Sequence, residues 1–300
     1  INFREIKMSN ITAQMVKELR DRTGAGMMEC KKALLDSSGN MDKAVEEMRK
    51  AGQAKADKTS SRIAAEGVIT LSISDDNLIA NMIEINCETD FVAKDENFLK
   101  FVKTISEVSL ENYKGSVDDF NNSKHPSGKT IEEIRLELVS KVGENVKIRR
   151  VQNIKNDGNY MGHYMHGTKI GVAVVLQKEN EELAKDVCMH IAAMKPRALN
   201  ANDIPQDVLD KEREIFVAQA KESGKPDDII QKMVDGKLKK YISEVTLIDQ
   251  TFVKDNEITI SRLLEKHDNS VLSFYRLEVG EGVEKKDENF ADEVMAQIKK

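Results

Sequence analysis

The sequence predicts an α+β protein assembled from several parts. Three observations carry this: an apolar period of 3.6 through the first fifty residues, Ile- and Val-rich alternating runs interleaved with helical stretches in the middle, and two charged helical runs around Gly224-Lys225-Pro226. At 300 residues the chain exceeds the ~100–200 that one compact core usually organises, so two or more cores are expected.

Thr12 is placed to cap the first helix, with Ile11 before it and Val16 after it as a hydrophobic staple, and Ile11, Met15 and Leu19 on one face. Gly24 and Gly26 end that helix. Met27 to Ser38 forms a second, Gly39-Asn40 turns the chain, and Met41, Ala44, Val45 and Met48 line a third that stops by Gly52. Residues 11–52 thus make a small three-helix domain. Residues 53–65, QAKADKTSSRIAA, lack a clear apolar face and read as linker or solvated helix.

Val68 to Ser74 and Leu78 to Asn86, separated by Asp75-Asp76-Asn77, predict an antiparallel hairpin, followed by a helix striped with Phe98, Val102 and Ile105. Asn112 to Thr130 is polar and carries Gly, Pro and Ser, the composition of an exposed loop; a helix with Ile134, Leu138 and Val142 on one side comes next. Val146 to Ile154 and Ile170 to Leu176 are strand-like, and Glu181 to Met194 is helical up to Pro196. Strand, acidic turn and helix occur twice, which suggests two related subdomains in a core over 66–205. In 206–243, Ile230, Val234, Leu238 and Tyr241 give a narrow seam, and arms of about 18 residues would reach ~27 Å, so a protruding coiled-coil hairpin is expected. The core continues over 244–282, with a helix from Ile258 to His267 and a strand from Val271 to Val279. Residues 283–300 form a C-terminal helical module, its helix running from Phe290 to Ile298.

Composition narrows the function classes. With 40% hydrophobic and 33% charged residues, the chain can bury cores and is neither disordered throughout nor membranous. A net charge of −6 argues against a main task of coating nucleic-acid phosphates. Cys30, Cys87 and Cys188 lie far apart and form no CxxC, which fits a reducing compartment. No apolar run approaches the ~20 residues of a membrane helix, and INFREIK lacks a signal peptide's apolar stretch. A cytoplasmic protein is expected, with Met8 a better start than Ile1.

Catalytic and nucleotide motifs fail on spacing. Gly128-Lys129-Thr130 resembles the end of a phosphate-binding loop, but Ser123 stands where its first Gly is needed. Gly24-Ala25-Gly26 has Glu29 in place of a dinucleotide loop's third Gly. His163 and His166 form HxxH without further metal ligands, and Cys87 has no base at a useful spacing; as a strand-end thiol it reads as a small buried hydrophobe. The unusual place is Cys87-Glu88-Thr89-Asp90-Phe91-Val92-Ala93-Lys94-Asp95, where a Phe stands in a charged turn after a strand. Either Phe91 packs beneath the following helix while Asp90 caps it, or Asp90 and Phe91 form an exposed wedge for a partner's pocket.

Four motifs in order, ITAQMVKELRDRTGAGMMECKKAL (Ile11 to Leu34), CETDFVAKD (Cys87 to Asp95), VGENVKIRRV (Val142 to Val151) and YMHGTKIGV (Tyr164 to Val172), resemble those of the translation elongation factor Ts family, guanine-nucleotide exchange factors of elongation factor Tu. The resemblance covers nearly the whole chain. It implies a UBA-like (ubiquitin-associated-like) three-helix N-terminal domain, a two-subdomain α+β core with antiparallel sheets, a protruding coiled coil and a C-terminal helical module. It also implies an exchange factor rather than an enzyme. The partner would be Tu, as a simple pair, through a homodimer or in a 2:2 assembly; the chain itself would bind no cofactor, nucleotide, nucleic acid or membrane.

By the same resemblance Phe91 enters a crevice between helices of Tu, while Asp90, flanked by Thr89 and Val92, disturbs its magnesium and phosphate region. His166 presses near the Tu phosphate loop, and Met27 and Met28, with Leu19, pack on a Tu helix. From the residues alone, Met27 and Met28 could also serve their own three-helix core, and His166 could chiefly orient the turn at Gly167. Rival classes are a thiol enzyme built on Cys87 and a peptide-binding adaptor built on the three-helix domain.

Overall fold

A computed structural model describes residues 11–222 and 224–284. The expected C-terminal helix from Phe290 and the residues before Ile11 lie outside this range. The chain divides into two compact units: the described residues up to Ser72 with Asn81–Asn153 and those from Glu278 onward, and Ile73–Ala80 with Ile154–Leu277.

The first unit opens with helices α1 (Ala13–Thr23), α2 (Met27–Asp36) and α3 (Met41–Thr59). The Thr12 hydroxyl accepts from Met15 N at 3.2 Å, and Gly24 closes α1 in the left-handed region at φ 68°, its N–H bonding Arg20 O. Val16, Leu19, Cys30, Leu34 and Ala44 are buried together, with Met15, Met41, Val45 and Met48 against them. The third helix does not stop at Gly52. It runs to Thr59, because Gly52 is buried against the helix that carries Leu136 and Ser140, where an added Cβ would lie 3.9 Å from Leu136 O, and Lys55 Nζ donates to Ser140 O at 2.5 Å; these tertiary contacts outweigh the weak helix propensity of glycine. Of the two readings for 53–65, linker or solvated helix, the second holds up to Thr59.

Strands β1 (Glu66–Ile73), β2 (Ile79–Cys87) and β3 (Lys147–Lys155) form a sheet in the order β1-β2-β3. Against it pack α4 (Glu96–Asn112) and α6 (Ile131–Val142), which bury Phe98, Phe101, Ile105 and Val139 with Ile83, Ile85 and Val146. The stretch expected as an exposed loop holds a short helix, α5 (Val117–Asn122), whose Phe120 is wholly buried and meets Tyr113 edge-on at 6.1 Å. One aromatic in a polar run anchors it. In β2, Glu84 is fully buried and receives Arg149 Nη1 at 3.0 Å, Arg150 Nε, and Gly280 N at 2.8 Å. Burial would raise its pKa, but the Gly280 N–H and the Arg150 guanidinium hold it below the usual carboxylate range.

The second unit has a sheet in the order β4-β5-β8, from β4 (Tyr160–His166), β5 (Ile170–Leu176) and β8 (Val271–Glu278). β4 and β5 are antiparallel, Tyr160 facing Leu176 and His166 facing Ile170. Helix α7 (Glu181–Met194) buries Leu183, Val187 and Ile191 against Val172, Val174 and Leu176. Its approach to β4 requires Gly162, where a Cβ would fall 2.3 Å from that of Ala184. Helices α8 (Gln206–Lys221) and α9 (Asp227–Val245) form a hairpin turning at Gly224, with Ala220, Ile230 and Val234 buried beside Phe216 and Val217. β6 (Thr251–Phe252) pairs with β7 (Asp255–Thr259), and Thr259 caps α10 (Ile260–Lys266). The helix expected from Ile258 thus begins two residues later.

Candidate partner-binding surfaces

β2 ends at Cys87, which is buried, its thiol donating to Thr89 O at 3.2 Å. The turn beyond it is held from a distance. Gly143, left-handed at φ 77°, closes α6 and presents Glu144 and Asn145 to the turn. One Glu144 carboxylate oxygen accepts from Glu88 N at 3.1 Å and Thr89 N at 3.0 Å, and the other from the Thr89 hydroxyl at 2.7 Å. In return Glu88 Oε1 accepts from Asn145 N at 2.5 Å. Asn145 Nδ2 then donates to Ser60 O and Arg62 O, which tethers the end of α3 to the same knot.

On this base a single 3₁₀ turn, Val92–Lys94, starts at Phe91, a residue 82% exposed. Asp90 is exposed and bonds Lys94 Nζ at 2.7 Å. The capping role belongs to Asp95, whose carboxylate accepts from Asn97 N and Phe98 N. Burial would raise the Asp95 pKa, yet the Asn97 side chain and these two N–H groups keep it below its ordinary value. Phe91 therefore neither packs under α4 nor sits beside a capping Asp90. Val92 is half-buried against the core, and Thr89 spends its hydroxyl on Glu144. An exposed Phe on a turn whose foundations are fixed is a rigid apolar projection, the form a hot-spot anchor takes.

His166 stands elsewhere, exposed at the tip of the β4–β5 hairpin. Gly167, at φ 58°, makes the turn, and Lys169 N returns to His166 O at 3.4 Å. The Tyr164 hydroxyl lies 3.0 Å from His166 Nδ1, one strand period away on the same face.

The two methionines open α2, following Gly26, whose N–H bonds Glu29 at 3.3 Å. Met27 is 44% and Met28 76% exposed, and neither joins the buried cluster of the three helices. Leu19 is 0% exposed within that cluster, so in the free chain it is a core residue that offers no surface. This is the face that the helical period assigns to Ile11, Met15 and Leu19; the contact role of Leu19 came from the resemblance alone. Glu144 and Asn145 were missed: they lie in VGENV, but nothing local shows that a carboxylate there reaches back 55 residues to Thr89.

Among the described residues no helix is long and apolar enough to cross a membrane, and no three His, Cys, Asp or Glu side chains are grouped to hold a metal ion. Residues 88–281 match the family model described as Elongation factor TS. The chain is similar to proteins named Elongation factor Ts from Legionella pneumophila strain Paris, 51% identical over 97% of this chain and 100% of the relative. It is likewise similar to those of Thioalkalivibrio sulfidiphilus, 56% identical over 96% and 99%, and Francisella tularensis subsp. novicida, 51% identical over 97% and 100%.

Proposed function

The chain belongs to the elongation factor Ts family and is a translation elongation factor, and from that premise we propose that it acts on elongation factor Tu as a guanine-nucleotide exchange factor, binding the GDP form and promoting GDP release. The observation that carries this is Phe91, exposed on a turn anchored by Glu144. Exchange breaks no bond in the nucleotide. It requires Tu to hold GDP less tightly while this chain is bound, and by linkage GDP must weaken this chain's grip by the same factor.

Moving a two-state pocket from 1:99 to 99:1 needs ~5.5 kcal/mol of differential binding. Burying one Phe supplies about 1.5–3 kcal/mol. Phe91 alone falls short, so His166, Asp90 and the methionines of α2 must contribute contacts that favour the open pocket. Asp90 brings negative charge toward a magnesium that otherwise ties the phosphates to Tu. Its pairing with Lys94 keeps the carboxylate on the surface beside Phe91. Met27 and Met28 supply flexible apolar contact suited to a helix face. The excess of cellular GTP then refills the emptied site, so nucleotide concentrations set the direction of exchange.

The test is stopped-flow release of a fluorescent GDP analogue from purified Tu, with and without this chain. Release accelerated in proportion to the chain at low concentration, then saturating, is expected; release unchanged at any concentration overturns the proposal.

A further inference from the structure

We infer that Glu144 is a positioning residue for the Phe91 wedge, a role that rests on the exchange reading above. Phe91 projects from a short turn and buries almost nothing of itself, so its own side chain cannot fix its direction. The residues before it must do so. Glu88 and Thr89 have left the β-ladder, and their two N–H groups and the Thr89 hydroxyl all converge on one carboxylate, that of Glu144. Three hydrogen bonds to an ionised group are stronger than three neutral ones and define the turn's orientation as well as its position.

The arrangement is reciprocal. Glu88 returns a bond to Asn145 N, so the segments 88–89 and 144–145 clasp each other at two points and neither can rotate alone. Thr89 then passes the constraint forward: its hydroxyl accepts from Val92 N at 3.3 Å and its carbonyl from Ala93 N at 3.2 Å, which spans Asp90 and Phe91. Both wedge residues are bracketed between fixed points. Because Asn145 also holds Ser60 O and Arg62 O, the knot that aims Phe91 is the one that ends α3. A wedge paid for in advance this way loses little conformational freedom on binding, which is the gain preorganisation gives.

Glu144→Gln keeps the shape and one oxygen for the two N–H groups, but it removes the charge that strengthens all three bonds and reverses the third, its NH₂ now donating to a Thr89 hydroxyl that must rotate, and it tests the role in two ways. In the free chain, NMR order parameters of the Asp90 and Phe91 amides should fall from the ~0.85 of ordered backbone to below ~0.6, with those of the β2 strand unchanged. In saturating exchange with Tu, the maximal GDP release rate should fall about fivefold, and the same substitution in a Phe91→Ala background should cost no more than ~1.5-fold, since it acts through the ring. Unchanged order parameters, or a loss that multiplies fully with that of Phe91→Ala, overturns the inference. If the Gln chain does not fold, Glu144→Asp, which shortens the reach and keeps the charge, takes its place with the same expectations. A wild-type chain that leaves GDP release unaltered overturns the exchange reading and this role with it; a wild-type chain that accelerates release, beside an equally active Glu144→Gln chain, overturns this role alone.

Discussion

The Phe91 turn and the His166 hairpin tip are both exposed, and they are built on opposite plans. At Phe91 the direction of the side chain is set through Glu88 and Thr89 by one half-buried carboxylate, Glu144, which lies 56 and 55 residues from them in the sequence. At His166 the ring's neighbour and its turn lie within three residues: Tyr164 beside it and the bond from Lys169 N back to His166 O. A remotely anchored projection has a fixed direction and transmits force. A locally anchored one can adjust by a side-chain rotation while its strand stays paired. The first suits a wedge, the second a contact that settles after docking.

The largest expected effect tests the ground under the first plan. Glu84→Ala removes the carboxylate from β2 and leaves Arg149 and Arg150 without it, which should cost about 3–5 kcal/mol in urea unfolding. Acid should act the same way. The folded Glu84 pKa lies below its ordinary 4.5, so its stabilisation is complete above that value and is lost as pH falls through the folded pKa. Melting temperature measured from pH 6 down to 3 checks this, and a Glu84→Gln chain should show the shallower decline.

Next is Phe91→Ala. Being exposed, the ring contributes little to folding, so stability should change by less than ~0.5 kcal/mol while stimulated GDP release slows at least ~tenfold. A normal rate would erase the contrast between the two tips. His166→Ala should slow release by about threefold, as a contact that adjusts contributes less than one that is preset; an effect equal to that of Phe91→Ala would show that local anchoring suffices. Smallest is Cys87→Ser, expected to alter release less than ~twofold, because the thiol is buried and a hydroxyl can donate to the same Thr89 carbonyl.

Much of this was legible where causes are local. Thr12 as cap, Gly24 as stop, Phe98 with Val102 and Ile105 as a buried stripe, and Glu181–Met194 as a helix ending before Pro196 all follow from neighbours in the chain. What escaped depends on distant partners. Gly52 reads as a terminator until α6 is seen beside it, and Phe120 reads as loop until its pocket exists. β4 also went unread: its Tyr, His and Met side chains lack the Ile and Val alternation that marks its partner β5. The same limit governs the wedge, where TDF could be picked out and its exposure could not, because the alternative of a Phe tucked under α4 needed only Asp90 in the place that Asp95 fills.

The buried Glu84 carries a temporal consequence. Its backbone ligand, Gly280 N, lies 196 residues farther along, beyond all of Ile154–Leu277. At ~5–20 residues per second of synthesis, that N–H emerges roughly 10–40 s after the strand it completes. A nascent chain must therefore keep this acid group waiting, held by Asn86, Arg149 and Arg150, until all of Ile154–Leu277 has been made, so the first unit is completed only after the chain of the second has been synthesised.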